Sequence, residues 1–141
     1  MRGHTLVELL FVMTLLGATT ASLAPTARRY RDRASAVAAR EALVGLLAET
    51  RLAAMEIGEA SLRIGADPWT ARATVGDSTM RAVDFDAEYG VALTLSGAGT
   101  TVELEFDALG LGRLAGQTIG FRRGEASAQL VVSSYGRVRR R

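Results

Sequence analysis

The chain has no cysteine and no lysine, and a single histidine. Without cysteine there is no disulfide, no thiolate metal site and no thiol nucleophile. The one histidine, His4, lies at the extreme N-terminus, which excludes histidine-based catalytic triads in a folded domain. These absences argue against an enzyme, and no cofactor is expected. Every one of the 17 basic residues is arginine. That reads mainly as the codon bias of a G+C-rich genome, although bidentate guanidinium contacts stay available at individual positions. No metal site is expected either. Asp84, Asp86 and Glu88 alternate before Gly90, as oxygen ligands of Ca²⁺ do, but Tyr89 stands where the turn glycine belongs and Leu95 where the bidentate glutamate belongs. The three carboxylates read instead as a solvated strand face. Gly110-Leu111-Gly112-Arg113-Leu114-Ala115 loosely matches a dinucleotide fingerprint. No helix pattern follows it, and Gly116 and Gly120 interrupt, so it reads as a strand–turn–strand connection.

Charge is also missing over one long run, from Leu9 to Ala27, between Glu8 and the basic cluster Arg28-Arg29-Tyr30-Arg31. About 20 apolar residues suffice to span a bilayer. A carboxylate in lipid costs roughly 2.5–3.5 kcal/mol at the bilayer centre and less near the end. A plain anchor therefore leaves Glu8 unexplained, and Gly3 as well. A cleaved secretory signal fits poorly: Arg2 is a minimal basic region, Glu8 interrupts the start, and Pro25 follows Ser22-Leu23-Ala24. A carboxylate kept at this place points to a partner's charge.

Helix signals run from Thr5 to about Ile57, with Pro25 expected to kink or loosen the helix by removing a backbone donor. Beyond Pro25, Ala36, Ala39, Leu43, Leu46, Leu47, Thr50, Ala54 and Ile57 recur at three- and four-residue steps, one apolar stripe for packing on the chain's own sheet. Gly58 is the expected stop. The period then changes to two. Residues 61–66, 70–75, 82–85, 91–95, 101–106, 118–122 and 128–133 read as strands, separated by turns at Asp67-Pro68, Gly76-Asp77, Ser96–Gly99 and Gly110–Gly112. The fold class is α+β: a long N-terminal helix, its first half membrane-spanning, packed on a C-terminal antiparallel sheet or small sandwich. The organisation expected is a leader at 1–3, a membrane or filament-core helix at 4–27, its amphipathic continuation at 28–58, and a β-rich domain at 59–141.

The N-terminus resembles that of type IV pilins and pseudopilins. Gly3 and His4 match the two sides of the prepilin peptidase cut, and Thr5-Leu6-Val7-Glu8 matches the family's Thr-Leu-x-Glu. The position after the cut is usually Phe and is His4 here. The resemblance implies cleavage between Gly3 and His4, N-methylation of His4, pairing of Glu8 with a neighbouring subunit's N-terminal amine, and a helix kink at Pro25. The segments Phe106–Gly112, Gly116–Phe121 and Gln129–Arg139 are similar to the C-terminal domain of the GspH/FimT branch of minor pilins and pseudopilins. The implied function is a filament subunit of type II secretion or of a type IV pilus, acting in assembly, priming and protein secretion. The implied setting is the bacterial inner membrane, single-pass, with the C-terminal domain outside the cytoplasm until it enters the filament. The implied partners are other pilins or pseudopilins and prepilin peptidase.

Charge is unevenly spread. Residues 77–107 hold seven acidic residues and one arginine, whereas residues 110–141 hold seven arginines and one glutamate. Such polarity indicates intradomain pairing of neighbouring strands, self-complementary packing, or an anionic partner for the basic end. Arg122-Arg123 and Gly136-Arg137-Val138-Arg139-Arg140-Arg141 form that end. FimT-like members link a C-terminal Gly-Arg-x-Arg motif with DNA uptake, so the resemblance implies DNA as an alternative partner of Gly136, Arg137, Arg139, Arg140, Arg141, Arg122 and Arg123. The guanidinium fork suits phosphate without regard to base sequence. A solvated final strand is the competing reading.

Overall fold

The computed structural model describes residues 5–97, 99–113 and 116–141, with residues 18–24 described by their backbone. The chain divides into two compact units, Met1–Arg31 and Asp32–Arg141. Helix α1 (Leu6–Ile57) contributes to both.

The first unit is helical. Its helix carries Leu6, Val7, Leu9, Leu10, Phe11, Val12 and Met13 at the surface, so apolar groups lie all round rather than along one stripe. The helical assignment continues through Pro25, which lacks the donor that would bond the carbonyl four residues back.

The second unit holds every residue of the described hydrophobic core. Two antiparallel sheets follow α1. Strands β1 (Glu59–Ala66), β2 (Trp69–Val75) and β3 (Ser78–Asp84) precede helix α2 (Phe85–Tyr89); then come β4 (Ala92–Leu95), β5 (Thr101–Asp107), β6 (Gly112–Arg113), β7 (Gln117–Arg123), β8 (Ala126–Val132) and β9 (Val138–Arg140). The first sheet has the order β3-β2-β1-β5-β6 and the second β4-β7-β8-β9. This is the α+β arrangement expected, with the helix packed on antiparallel sheets.

The stripe on α1 explains the packing. Ala36, Ala39, Leu43, Leu46, Leu47, Thr50 and Ala54 are buried, as is Ala53 beside them. They share one core with Leu62 and Ile64 of β1, Leu104 of β5, Ile119 and Phe121 of β7, and Leu130 of β8. Each buried Leu or Phe contributes about 1.5–3 kcal/mol. Thr50 is polar yet fully buried, because its Oγ1 donates to the Leu46 carbonyl at 2.7 Å. Phe85 lies edge-on to Phe121, with centroids 5.9 Å apart. The helix ends at Gly58, whose φ of 110° is open to glycine; its N–H donates to the Ala54 carbonyl at 2.8 Å.

Three expectations are corrected. Ile57 is 65% exposed, because the helix stops there before its last apolar residue reaches the core. Residues 85–89 form a helix rather than extending the third strand. Asp84 is its N-cap, accepting from Asp86 N and Ala87 N at 3.0 Å each, so the Asp84–Glu88 carboxylates are not one strand face. Gly112 opens strand β6 instead of closing a turn; its backbone pairs with Phe106. The basic end forms a final strand, β9, paired with β8, as the competing reading of the sequence had it. Ala98, in an expected turn, and Leu114 and Ala115, in the expected strand–turn–strand connection, lie outside the described residues.

Candidate functional site

Two places in the chain carry the residues singled out above. At the N-terminus, Gly3 and His4 lie outside the described residues. Thr5 precedes the first helical residue, and its Oγ1 accepts from the Glu8 N–H at 3.4 Å while its carbonyl accepts the same N–H at 3.0 Å. That is the threonine side of a capping box, the Thr-x-x-Glu signature of a helix start. The Thr-x-x-Glu spacing of Thr5-Leu6-Val7-Glu8, present in the sequence, signals the local start of α1. Glu8 sits in the first turn, where the helix dipole favours a carboxylate. Leu6 and Val7 beside it are 77% and 74% exposed. Among the described residues no helix is long and apolar enough to cross a membrane; the uncharged run from Leu9 to Ala27 includes residues 18–24, described by backbone alone.

The second place is the β8–β9 hairpin. Gly136 N–H donates to the Ser133 carbonyl at 2.9 Å, Ser133 N–H to the Arg137 carbonyl at 2.8 Å, and Arg137 N–H to Ser133 Oγ at 3.1 Å. Gly136 has φ of +76°. A Cβ there would come within 3.2 Å of Phe106 Cε1, and a Cβ on Gly112 would meet Gly136 at 3.4 Å. The hairpin thus closes against the first sheet through two glycines and one buried ring. Gly136 has a structural reason to be glycine, whatever the tail binds.

The structure divides the arginines of the basic end. Arg123 turns inward. Its Nε lies 3.2 Å from Asp32 Oδ1, and its Nη1 donates to Ser35 Oγ at 2.8 Å and to the Tyr89 carbonyl. One guanidinium therefore joins α1, the end of α2, and β7. Arg140, opposite buried Leu130 in register, reaches Glu41 of α1: Nε donates to both carboxylate oxygens at 3.0 Å, and Nη2 lies 3.0 Å from Oε2. Arg40 donates to the same Glu41 at 2.9 and 3.1 Å and to Arg141 O at 3.2 Å. The Arg140 hydrogen bond, more than that of Arg40, holds the Glu41 carboxyl below its ordinary range, against a desolvation that raises it; Arg140 is raised in turn by Glu41. The remaining four, Arg122, Arg137, Arg139 and Arg141, are exposed and form no ion pair among the described residues.

Nor do the acidic and basic segments neutralise one another. Among the described residues no ion pair links 77–107 with 110–141. Arg123 and Arg140 pair with α1, Arg81 pairs with Glu49 of α1 at 2.7 Å, and Glu103 pairs with Arg63 of β1 at 3.0 Å. Intradomain pairing is present, but α1 and β1 supply the partners. The outer face of the first sheet keeps an open groove of about 410 Å³ whose charged lining is Glu59, Glu103, Glu105, Asp107 and Arg113. No three His, Cys, Asp or Glu side chains converge as a metal site among the described residues.

No protein-family model matches the sequence, and no curated protein matches it. Among solved structures, the chain is similar to the minor pseudopilin EpsH from the type 2 secretion system of Vibrio cholerae. The two share 13% identity with a TM-score of 0.54, over 78% of this chain and 96% of that chain. At that identity the likeness speaks for the fold, and the fold is the pilin-like one: an N-terminal helix packed on antiparallel sheets.

Proposed function

We propose that this chain is a minor pseudopilin of a type II secretion filament, of the GspH/FimT kind, and acts in assembly and priming rather than catalysis. The observation that carries the reading is the coincidence of two independent features. One is the pilin-like fold shared with a minor pseudopilin. The other is the N-terminal Gly3-His4-Thr5-Leu6-Val7-Glu8 followed by the uncharged run. On this reading prepilin peptidase cuts after Gly3, His4 becomes the new and N-methylated terminus, and the segment 4–27 resides in the inner membrane until it joins other pseudopilins. The β-rich unit stays outside the cytoplasm. Lipid tails give apolar helices no reason to leave the bilayer for one another. A carboxylate meeting a positive N-terminus supplies that reason and fixes register, although desolvation offsets much of the attraction. Pro25 gives the helix a point at which to bend as it packs.

Intact-mass measurement on membrane-extracted protein tests this. The expected mass lacks Met1-Arg2-Gly3 and carries one added methyl. A mature N-terminus beyond Ala24 would identify a secretory signal and end the filament reading.

A second reading, a FimT-like pilin that binds DNA during uptake, is favoured by four exposed arginines, one on β7, one in β9 and two flanking β9. Arg123 and Arg140 are already engaged, so Arg122, Arg137, Arg139 and Arg141 carry it. A duplex-DNA titration at low salt, repeated with Arg137, Arg139 and Arg141 changed to Gln, decides: equal binding by both proteins removes the reading.

A further inference from the structure

The turn of α1 that follows the uncharged run is the most basic stretch of the first unit. Arg28, Arg29, Tyr30 and Arg31 are all exposed there, Tyr30 to 79%. An α-helix turns about 100° per residue. The four side chains therefore leave the helix in four directions and ring it, rather than lining one face. None of the three arginines forms an ion pair among the described residues. The nearest carboxylate in sequence, Asp32, is held by Arg123 at 3.2 Å. The charge of the ring is thus left without a counter-charge from the described chain.

On the function proposed above, the run from Leu9 to Ala27 lies in the inner membrane, and the inference rests on that reading. Its 19 residues rise about 28 Å as a helix, close to the roughly 30 Å of a hydrocarbon core. The next turn then stands at the depth of the lipid headgroups, where an exposed tyrosine ring also settles. Guanidinium forks at that depth meet phosphate oxygens. A headgroup layer surrounds a helix on every side and reaches all three guanidiniums at once. A DNA duplex is a rod and lies along one side only. Placement supplies a second argument. The reading puts this end of the span outside the cytoplasm, with Arg28, Arg29, Arg31 and Arg33 after the run and Arg2 alone before it. Membrane spans ordinarily carry such an excess on the cytoplasmic side. Arginines kept on the outer side need a use of their own there. We infer that Arg28, Arg29 and Arg31 bind the phosphates of anionic phospholipids in the extracytoplasmic leaflet, with Tyr30 seated among the headgroups. The charges are exposed, so the contact weakens with salt.

The test mixes the full chain in detergent micelles with phosphatidylglycerol or with phosphatidylcholine and counts bound lipid by native mass spectrometry. Wild type is compared with three variants. One carries Arg28→Gln, Arg29→Gln and Arg31→Gln; the second carries lysine at the same three positions; the third carries Arg137→Gln, Arg139→Gln and Arg141→Gln, which removes equal charge elsewhere. Each basic residue at an anionic lipid surface contributes a factor of about five, so after screening wild type should prefer phosphatidylglycerol roughly tenfold or more. Raising salt from about 50 to about 500 mM should erode that preference. The Gln variant at positions 28, 29 and 31 should lose it. The lysine variant should keep it, which excludes misfolding as the cause of the loss, and so should the variant at positions 137, 139 and 141. Equal binding of the two lipids by wild type, or an unchanged preference in the first Gln variant, overturns the inference. Loss of preference in the third variant overturns it too, and assigns the lipid to the C-terminal arginines. Loss of duplex-DNA binding by the first Gln variant with its lipid preference intact also overturns it, and assigns the ring to nucleic acid. Protease added to spheroplasts tests the underlying reading separately. Digestion of the β-rich unit supports it; protection overturns that reading and the leaflet with it, whatever the micelles show.

Discussion

Replacing Gly136 by alanine separates a structural from a ligand-binding reason for that glycine. An alanine at φ of +76° pays the left-handed penalty of roughly 1–2 kcal/mol. Its methyl also arrives 3.2 Å from Phe106 Cε1, and Phe106 is buried, so the ring has little room to yield. Overpacking of that kind costs about 1 kcal/mol or more. Against this, alanine restricts the unfolded chain and returns about 0.4–1 kcal/mol. The net expectation is a destabilisation of about 1–3 kcal/mol, or roughly 4–12 °C in Tm for a unit of about 110 residues. Gly45→Ala is the internal control. Gly45 lies exposed inside α1, and a methyl added there meets nothing within 4 Å, so the same chemical change should stabilise, by about 0.8–1 kcal/mol. Thermal and urea unfolding of a fragment beginning at Asp32 reads both. Gly136→Ala as stable as wild type would refute the close approach of the hairpin to the first sheet. The glycine would then need a ligand to explain it.

On the proposed function, Glu8→Leu should leave membrane extraction and the β-rich unit unchanged, since leucine is favoured in lipid, yet lose co-purification with partner pseudopilins; unchanged co-purification refutes the charge pairing. Glu41→Gln should lower stability at neutral pH by a small, salt-sensitive amount, because the pair is exposed to solvent. The sign follows from the lowered carboxyl: its contribution is full above the usual carboxylate range and is lost as pH falls through the depressed value. Stability curves of wild type and variant should therefore run parallel at neutral pH and converge in acid. Arg123→Gln removes contacts to Asp32, Ser35 and the Tyr89 carbonyl together, and should cost about 1–3 kcal/mol in urea unfolding; a change within a few tenths of a kcal/mol would show that the three contacts are incidental.

Much of the fold was legible because period and length agreed. The stripe from Ala36 to Ala54 and the alternation of Val102, Leu104 and Phe106 with Glu103, Glu105 and Asp107 each fix a buried face. What escaped was short or held by something other than apolar pattern. Strand β6 is two residues, too few for any period. Helix α2 is five residues, though Asp84 before it and Gly90 after it form a readable cap pair. Strand β9 is mostly arginine and owes its place to backbone pairing with β8 and to Glu41. The division of the basic end follows from parity, since adjacent Arg122 and Arg123 must point to opposite faces of β7. That inference needed the strand's register, which the charge pattern alone does not give.

The four residues from Thr5 to Glu8 show how one short motif can answer to two physical demands. A helix must satisfy its first N–H groups, and Thr5 does so for Glu8 through a hydroxyl and a carbonyl. Capping of this kind uses the Glu8 backbone and is indifferent to the carboxylate's charge. A glutamine at position 8 would preserve the capped turn, and a leucine would preserve the backbone donor. The cap therefore accounts for the threonine without requiring a charge on the side chain at position 8, which stands beside exposed Leu6, Val7 and Leu9. The dipole supplies a few tenths of a kcal/mol to about 1 kcal/mol for a carboxylate in the first turn, less than the roughly 2.5–3.5 kcal/mol the charge costs in mid-bilayer. On the proposed reading, the deficit shrinks near the membrane surface and an opposite charge offsets the rest. On the proposed reading, that charge is the amine left when a neighbouring subunit is cut after Gly3.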